Sequence, residues 1–206
     1  MQSEKAIRYR PAIISSNDLN EETNMKLVYG IGINKKERPA IGTRPYRTWT
    51  KILNEVGESK GRLSICRKFK NYTFFYDWYM GQVGSDKDFK ISYDLLDKSN
   101  TTFHYDKCVL LPIEIGRFMN RVKKVRGNLP VGVDRTNKNS DAGFMSRVSM
   151  GNERIHLGTY RTPEEAFMPY KLMKEWHIKH LAEKHKSSLD PIAYDALMAY
   201  QVEITD

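Results

Sequence analysis

The chain has 206 residues, with 34 Lys and Arg against 25 Asp and Glu, so its formal net charge is +9 at pH 7. Its content of 40% hydrophobic and 11% aromatic residues excludes a disordered or collagen-like chain. No apolar run approaches the roughly 18 residues that span a bilayer, and residues 1–5 lack the apolar core of a signal peptide. We therefore expect a cytoplasmic protein, and the basic excess favours a polyanionic partner, with nucleic acid as the first candidate.

The first part of the chain predicts an arm, a short strand and helices. Residues 1–25 are mostly polar and predict an N-terminal arm. Lys26–Asn34 predicts a short strand, and Tyr46–Val56 predicts a helix because its apolar residues recur at helical spacing. The segment Phe69–Tyr79 is dense in aromatic residues, which we interpret as core because aromatic side chains bury the most area per residue.

A second set of elements leads to a basic segment. Lys87–Lys98 predicts a strand and turn, Cys108–Leu111 predicts an apolar strand, and a short helix is expected after Pro112. Residues 121–130 are predicted to be a linker that ends in a Gly-Asn-Leu-Pro boundary. Its cations, which are candidate phosphate contacts, are Arg121, Lys123, Lys124 and Arg126.

The remaining residues, 131–206, predict three short strands followed by helices. The strands are expected at Val131–Val133, Phe144–Met150 and Arg154–Tyr160. Thr162 and Glu165 have the spacing of a capping box, so a helix is expected to begin there and to run to about His185. A last short helix is expected over Pro191–Tyr200.

Several motifs of this module fall in a characteristic order. They are Gly132-Val133-Asp134-Arg135, Phe144-Met145-Ser146-Arg147-Val148, Ile155-His156-Leu157-Gly158-Thr159-Tyr160 and Thr162-Pro163-Glu164-Glu165-Ala166-Phe167 with Tyr170. The module resembles the ethylene-response-factor type of DNA-binding domain. That resemblance implies a sheet in the DNA major groove, where outward side chains read base edges.

Strand alternation predicts which side chains point away from the helix. Arg147 and Arg154 are the best base-reading candidates, because a planar guanidinium can pair with guanine at two places. Asp134 stands where the family commonly has an arginine, which would weaken or redirect binding. The predicted DNA contacts of the module are Arg135, Lys138, Arg147, Ser149, Arg154 and His156.

A second likeness covers most of the chain. It is carried by Tyr29–Asn34, Tyr46 with Trp49, Ile52 and Leu53, the Phe75, Trp78 and Tyr79 cluster, Asp94-Leu95-Leu96, Cys108–Pro112 and Leu129–Val133. In order and spacing these residues resemble phage-type HNH homing endonucleases, many of which carry a C-terminal module of the kind above. The resemblance implies a ββα-metal nuclease module, in which a divalent ion polarises the scissile phosphate.

The resemblance also implies that the nuclease site is degenerate. With Cys108 as the anchor, Ser92 falls on the family's metal-binding Asp, Tyr93 on the following basic position and Gly116 on the helical Asn. Asp94 alone remains, on the same predicted strand. Hard divalent cations need anionic or carbonyl oxygens, which these replacements do not supply.

Other residues leave an enzyme reading open. Asp88 and His104 could join Asp94 in a rearranged metal-dependent site, although the motifs around Asp88 and Asp97 have the wrong spacing from the anchor. Cys66 and Cys108 lack two further ligands for zinc and are predicted to be small core residues.

We therefore expect an α+β chain with a degenerate HNH-like module over residues 26–120 and an ethylene-response-factor-like module over 131–206. The expected function is sequence-specific binding of double-stranded DNA without catalysis, as a repressor associated with the nucleoid of a bacterium that carries a phage or mobile element. No cofactor is expected, and Mg²⁺ is needed only if the endonuclease alternative holds. A protein-interaction role is a third reading, and the sequence leaves monomer and homodimer open.

Overall fold

The computed structural model describes residues 27–119, 129–136, 143–151 and 153–205, which form a mixed α and β chain. The chain divides into two compact units. The first runs to Pro112 and includes Ser188–Ala193, and the second comprises Ile113–Ser187 and the residues from Tyr194 onwards. In the described part of the chain, no helix is long and apolar enough to cross a membrane.

The first unit opens with a turn, although the sequence predicted a strand over Lys26–Asn34. Val28 and Gly32 form an isolated antiparallel bridge. Between them, Tyr29 has a φ of 52° and Gly30 has a φ of 69°. Two consecutive left-handed residues reverse the chain, and an extended strand cannot contain them. The predicted strand is therefore wrong over this range.

Helix α1 (Arg44–Glu58) contains the predicted segment 46–56 and confirms it. The helix begins earlier because the Thr43 side chain accepts a hydrogen bond from the Tyr46 amide and Pro45 suits the first turn. Its apolar stripe is fully inside: Trp49, Ile52 and Leu53 are at most 1% exposed.

The aromatic segment folds as two short helices, α2 (Arg67–Lys70) and α3 (Tyr72–Met80). Asn71 separates them, and its side chain caps α3 by accepting from the Thr73 amide at 2.9 Å. Phe75, Trp78 and Tyr79 are at most 2% exposed. The prediction that this cluster forms core is therefore confirmed.

Four short strands complete the first unit. Strand β1 (Ser64–Ile65) pairs in parallel with β3 (Thr102–Phe103), and β2 (Phe89–Ser92) pairs antiparallel with β4 (Val109–Pro112). Ser92 lies opposite Val109 in the second pair. Strand β4 confirms the predicted apolar strand one residue later than expected, and all four of its residues are buried.

The second unit begins with helix α4 (Ile113–Phe118) and contains a three-stranded antiparallel sheet. Its strands, in the order β5-β6-β7, are β5 (Val133–Arg135), β6 (Phe144–Met150) and β7 (Glu153–Tyr160). Helix α5 (Pro163–Lys184) follows and packs on one face of the sheet. A 3-10 turn (Lys186–Ser188) and helix α6 (Pro191–Met198) come last.

The start of α5 agrees with its prediction in detail. The Thr162 hydroxyl accepts from the Glu165 amide at 3.2 Å, and the Glu165 carboxylate accepts from the Thr162 amide at 3.3 Å. This reciprocal pair satisfies amides that a helix leaves without partners at its first turn. The predicted end at about His185 is met within one residue.

Two glycines allow close packing in this unit, one against helix α5 and one within strand β7. Gly132 has φ 76°, and a Cβ built there would lie 2.1 Å from the Tyr170 ring of α5. Gly158 has φ 127° and lies beside a register shift between β6 and β7 at Ser146 and Arg147. Both positions require a residue without a side chain.

Candidate nucleic-acid interface

The outer face of the three-stranded sheet, on the side away from α5, is fixed by strand register. Residues directly opposite one another on antiparallel strands share a face. Asp134 lies opposite Met145, Arg147 opposite His156, and Ser149 opposite Arg154.

The residues that alternate with these on β6 point to the other face and are buried. Ser146 is fully buried and Val148 is 2% exposed. The structure therefore places Met145, Arg147, Ser149, Arg154 and His156 on the outer face, as strand alternation predicts.

Asp134, on the edge strand β5, lies close to two arginines of the outer face. Arg154 Nη2 donates to Asp134 Oδ2 at 2.7 Å, and Arg147 Nη1 lies 3.6 Å from the same oxygen. Arg147 Nε also donates to Met145 Sδ at 2.7 Å. Two guanidinium groups are thereby gathered around one carboxylate.

These ion pairs are at the surface. The side chains of Arg147, Arg154 and Asp134 are 32%, 59% and 47% exposed. Exposed ion pairs contribute little net free energy, about 0–1 kcal/mol, because water solvates both charges well. The guanidinium groups can therefore exchange the carboxylate for another acceptor at small cost.

Arg135 does not lie on the outer face, and its predicted orientation is wrong. It pairs with Phe144, and its guanidinium carbon lies 5.3 Å from the centre of the Phe144 ring. Residues two apart on a strand share a face, so Arg135 shares the side of buried Val133. Asp134 occupies the outward position that we had given to Arg135.

The other predicted contacts of this interface are of two kinds. Ser149 and His156 are exposed on the outer face, beside Arg154 and Arg147 respectively. Lys138 and the predicted linker cations lie outside the described residues; the cations are Arg121, Lys123, Lys124 and Arg126.

The positions of the first unit that correspond to the nuclease site lie in and after β2, in a loop held by hydrogen bonds and a ring contact. Ser92 is the last residue of β2, and its hydroxyl donates to Asp94 Oδ1 at 3.0 Å. Asp94 lies beyond the strand, although the sequence register placed it on the strand. The Tyr93 ring packs against Phe103, with their centroids 4.6 Å apart.

Asn100 fixes the far side of the same loop. Its Nδ2 donates to the carbonyl oxygens of Tyr93 at 2.5 Å and Thr102 at 2.9 Å, and Asn100 is only 7% exposed. The Asn100 amide donates to the Asp97 carbonyl at 3.0 Å, which confirms a turn at the predicted Ser99-Asn100 position. The contacts of Ser92 and Asn100 in this loop are hydroxyl and amide hydrogen bonds, and Asp94 is the carboxylate nearest to Ser92 in the chain.

Gly116, the remaining predicted position, lies in α4 of the second unit and is buried. A glycine has no side-chain ligand atom, so this position can supply only backbone groups.

The residues of the endonuclease alternative are placed as follows. His104 Nδ1 accepts from the Asp106 amide at 3.2 Å, and its ring stacks on Tyr105 at 4.2 Å. Asp88 is exposed just before β2.

Asp97, in the turn, accepts from Ser99 and Lys107, and these hydrogen bonds lower its pKa. Among the residues that the structure describes, no three His, Cys, Asp or Glu side chains gather as a metal-binding group.

The two cysteines are small core residues, as predicted. Cys108 is 4% exposed within the aromatic core, and Cys66 packs against that core. Both are free thiols, and burial raises the pKa of Cys108 above the ordinary thiol value.

One basic feature escaped the sequence reasoning. Lys68 Nζ lies 4.7 Å from the centre of the Tyr105 ring, on which His104 also stacks. The lysine is distant from the other two residues in the chain, so no local pattern links them. The cluster places a cation beside a half-exposed aromatic pair in the first unit.

No protein-family model, curated protein or solved structure matches this chain.

Proposed function

We propose that this protein binds double-stranded DNA at a specific sequence, with the outer face of the β5-β6-β7 sheet in the major groove. The observation that carries the proposal is the convergence of Arg147 and Arg154 on that face, on two neighbouring strands, 3.6 and 2.7 Å from Asp134. A two- or three-stranded ribbon fits the major groove, and arginine is the commonest side chain that reads guanine there.

In this proposal each part of the outer face has a role in binding. Arg147 and Arg154 pair with guanine O6 and N7, and Asp134 orients both guanidinium groups before DNA arrives. His156 and Ser149 flank them and can donate to bases or phosphate. The net charge of +9 adds attraction to the phosphate backbone that is independent of sequence.

The resemblance to ethylene-response-factor domains supports this orientation of the sheet. The Leu157–Tyr160 segment of that likeness is the end of strand β7 and contains Gly158, whose φ is 127° and which lies beside the register shift. The capping box that follows this segment fixes the start of the helix behind the sheet. The features that the likeness singled out are therefore those that shape the reading face and its support.

We further propose that the protein derives from an HNH homing endonuclease and does not cut DNA. The antiparallel pair of β2 and β4, followed in the chain by α4, agrees with a ββα module that has the short strand β3 inserted, and Ser92 stands at the position of the family's acidic metal ligand. The Ser92 hydroxyl donates to Asp94, which is the one acidic side chain left at the positions that correspond to the family's metal site. A protein that holds one DNA site without cleaving it suits transcriptional repression in a phage or mobile element.

A cleavage assay separates this proposal from the endonuclease alternative. The full chain is incubated with a plasmid pool in Mg²⁺, in Mn²⁺ and in chelator, and both retention and nicking are measured. The proposal predicts that the protein retains the same amount of DNA in Mg²⁺, in Mn²⁺ and in chelator, and that it nicks none of it. Specific nicking that is lost in Asp94→Ala would contradict it and favour a rearranged metal site.

A salt titration tests the protein-interaction reading. Each phosphate contact releases condensed counterions, so the affinity of a DNA-binding protein falls linearly on a log–log plot with slope about −0.9 per contact. A steep negative slope is expected. Retention that is flat between low and high salt would favour a role in which the basic surface is incidental.

A further inference from the structure

Helix α5 carries three large apolar side chains in solvent. Met168, Leu172 and Trp176 are 50%, 62% and 58% exposed. Their spacing of four residues sets them on successive turns of one stripe, which we call the α5 ridge. Scattered exposed apolar residues are ordinary, but a contiguous stripe marks an interaction surface.

The α5 ridge lies on the side of the helix opposite its core. The residues of α5 that are inside are Ala166, Phe167, Tyr170, Ile178, Leu181 and Ala182. At about 100° per residue, these cluster around one direction and the ridge points the other way. Since the sheet contacts the buried side of α5, a partner on the ridge leaves the outer face of the sheet open.

The charges that flank the ridge identify its partner. Two exposed acids, Glu164 and Glu165, precede the ridge, and exposed Lys179 and His180 follow it. A helix laid antiparallel with the same sequence would bring acids against basic groups at both ends. A parallel copy would place acids against acids and basic groups against basic groups, which is unfavourable because like charges repel.

We propose that the α5 ridge is a homodimer interface in which α5 of a second copy packs antiparallel about a two-fold axis at Leu172. Counting outwards from that axis, Trp176 meets Met168 of the other copy, and Lys179 meets Glu165. The same count sets His180 against Glu164. Every contact occurs twice, which is the property of an isologous interface.

The chemistry of the facing pairs suits this arrangement. Trp176 stacks on His180 of its own helix, with ring centroids 5.4 Å apart and planes 12° apart, so the indole presents a defined surface. Thioether sulfur packs favourably against aromatic rings, which matches Met168 with Trp176. Three residues a side bury less than the roughly 800 Å² of a standard interface, so a dimer of roughly micromolar affinity is expected.

Sedimentation of the full chain tests the proposal. Over about two orders of magnitude in protein concentration, the parent should shift from monomer to dimer. Leu172→Glu places two carboxylates on the axis and should remain monomeric. Ile41→Glu is the matched control, because Ile41 is 94% exposed and lies in the first unit; it should dimerise like the parent. Far-ultraviolet circular dichroism confirms that each variant is folded.

Cross-linking tests the axis itself. A thiol on a two-fold axis faces its own copy, so Leu172→Cys should form a covalent dimer in oxidised glutathione, and Ile41→Cys should not. A parent that stays monomeric at every concentration would overturn the proposal, as would dimerisation unchanged by Leu172→Glu. A dimer that Leu172→Cys fails to link would overturn the position of the two-fold axis at Leu172. None of these outcomes depends on DNA binding.

Discussion

Arg154 donates a 2.7 Å hydrogen bond to Asp134, across the outer face of the sheet and within reach of Arg147. An acidic residue therefore lies among the side chains that we propose to read DNA. It holds the arginines in place, and it also repels phosphate. Both effects have measurable consequences.

Replacing Asp134 with alanine should strengthen binding to all duplexes while reducing discrimination between them. The variant loses one negative charge at the interface, worth about 1 kcal/mol or roughly fivefold in affinity at low salt. It also frees two guanidinium groups from a fixed direction. Fluorescence anisotropy on the preferred and a scrambled duplex measures both effects. Glu58→Ala, which removes an exposed acid from the end of α1, is the control and should change neither.

Replacing Arg147 or Arg154 with alanine should weaken binding to the preferred duplex by about 1–3 kcal/mol. It should also relax the sequence preference at one base pair. Arg135→Ala is the matched control, because Arg135 lies on the other face of the sheet beside Phe144. It should keep the base preference of the parent. Binding of every sequence by both outer-face variants as well as by the parent would contradict the assignment of that face.

Ser146→Ala should stabilise the fold. The Ser146 hydroxyl is fully buried and has no hydrogen-bond partner within the described residues. Removing an unsatisfied buried hydroxyl is expected to raise the free energy of unfolding by about 1 kcal/mol. Ser149→Ala, on the exposed side of the same strand, should change it by less than about 0.5 kcal/mol. Urea unfolding measures both, and destabilisation by Ser146→Ala would indicate a hidden hydrogen bond.

The second unit should lose stability as pH falls through about 6.5, the ordinary histidine value. Burial lowers the pKa of His177, and the neighbouring His180 lowers it further. The unfolded chain therefore takes up the proton first, and the free energy of unfolding falls with pH in that window. Urea unfolding at pH 7.5 and 5.5 should show a smaller difference in His177→Gln than in the parent. His156→Gln, an exposed histidine of the sheet, is the control.

A second acid-sensitive contact acts at lower pH. Lys184 and His185 donate to Glu114, which lowers the pKa of that carboxyl below its usual value. A depressed carboxyl pKa stabilises the fold above the unfolded value and loses that contribution as pH falls towards the folded one. The exposure of Glu114 limits the size of the effect. In Glu114→Gln, the free energy of unfolding should change less with pH below about pH 4.5 than it does in the parent. The same pH dependence in both proteins would contradict the role of the contact.

The two long helices could be predicted from local signals. The stripe of Trp49, Ile52 and Leu53 has helical period, and the Thr162–Glu165 box is a physical start signal for α5. Each signal is contained within a few turns of chain. The strands β6 and β7 were likewise visible as alternating runs between turns.

What depended on pairing between distant residues was not predictable in the same way. The contact of Asp134 with Arg154, two strands away, is set by pairing across β5, β6 and β7 and by a register shift between β6 and β7. Arg135 was misplaced for a different reason, because it lies two residues from buried Val133 and strand alternation puts both on the same side of the sheet. The start of the first unit failed for a local reason, since Tyr29 adopts a positive φ that non-glycine residues rarely show. The stacking of Lys68 on Tyr105 has no sequence signal at all.

Specific, metal-independent binding of duplex DNA is tested most directly by selection of bound duplexes from a random pool. The full chain is used, and the bound pool is sequenced in parallel with Mg²⁺ and with chelator. We expect one enriched motif containing guanines, the same in both conditions and weakened in Arg147→Ala and Arg154→Ala. Enrichment of no motif, or of one that appears only with metal and with cleaved ends, would contradict it.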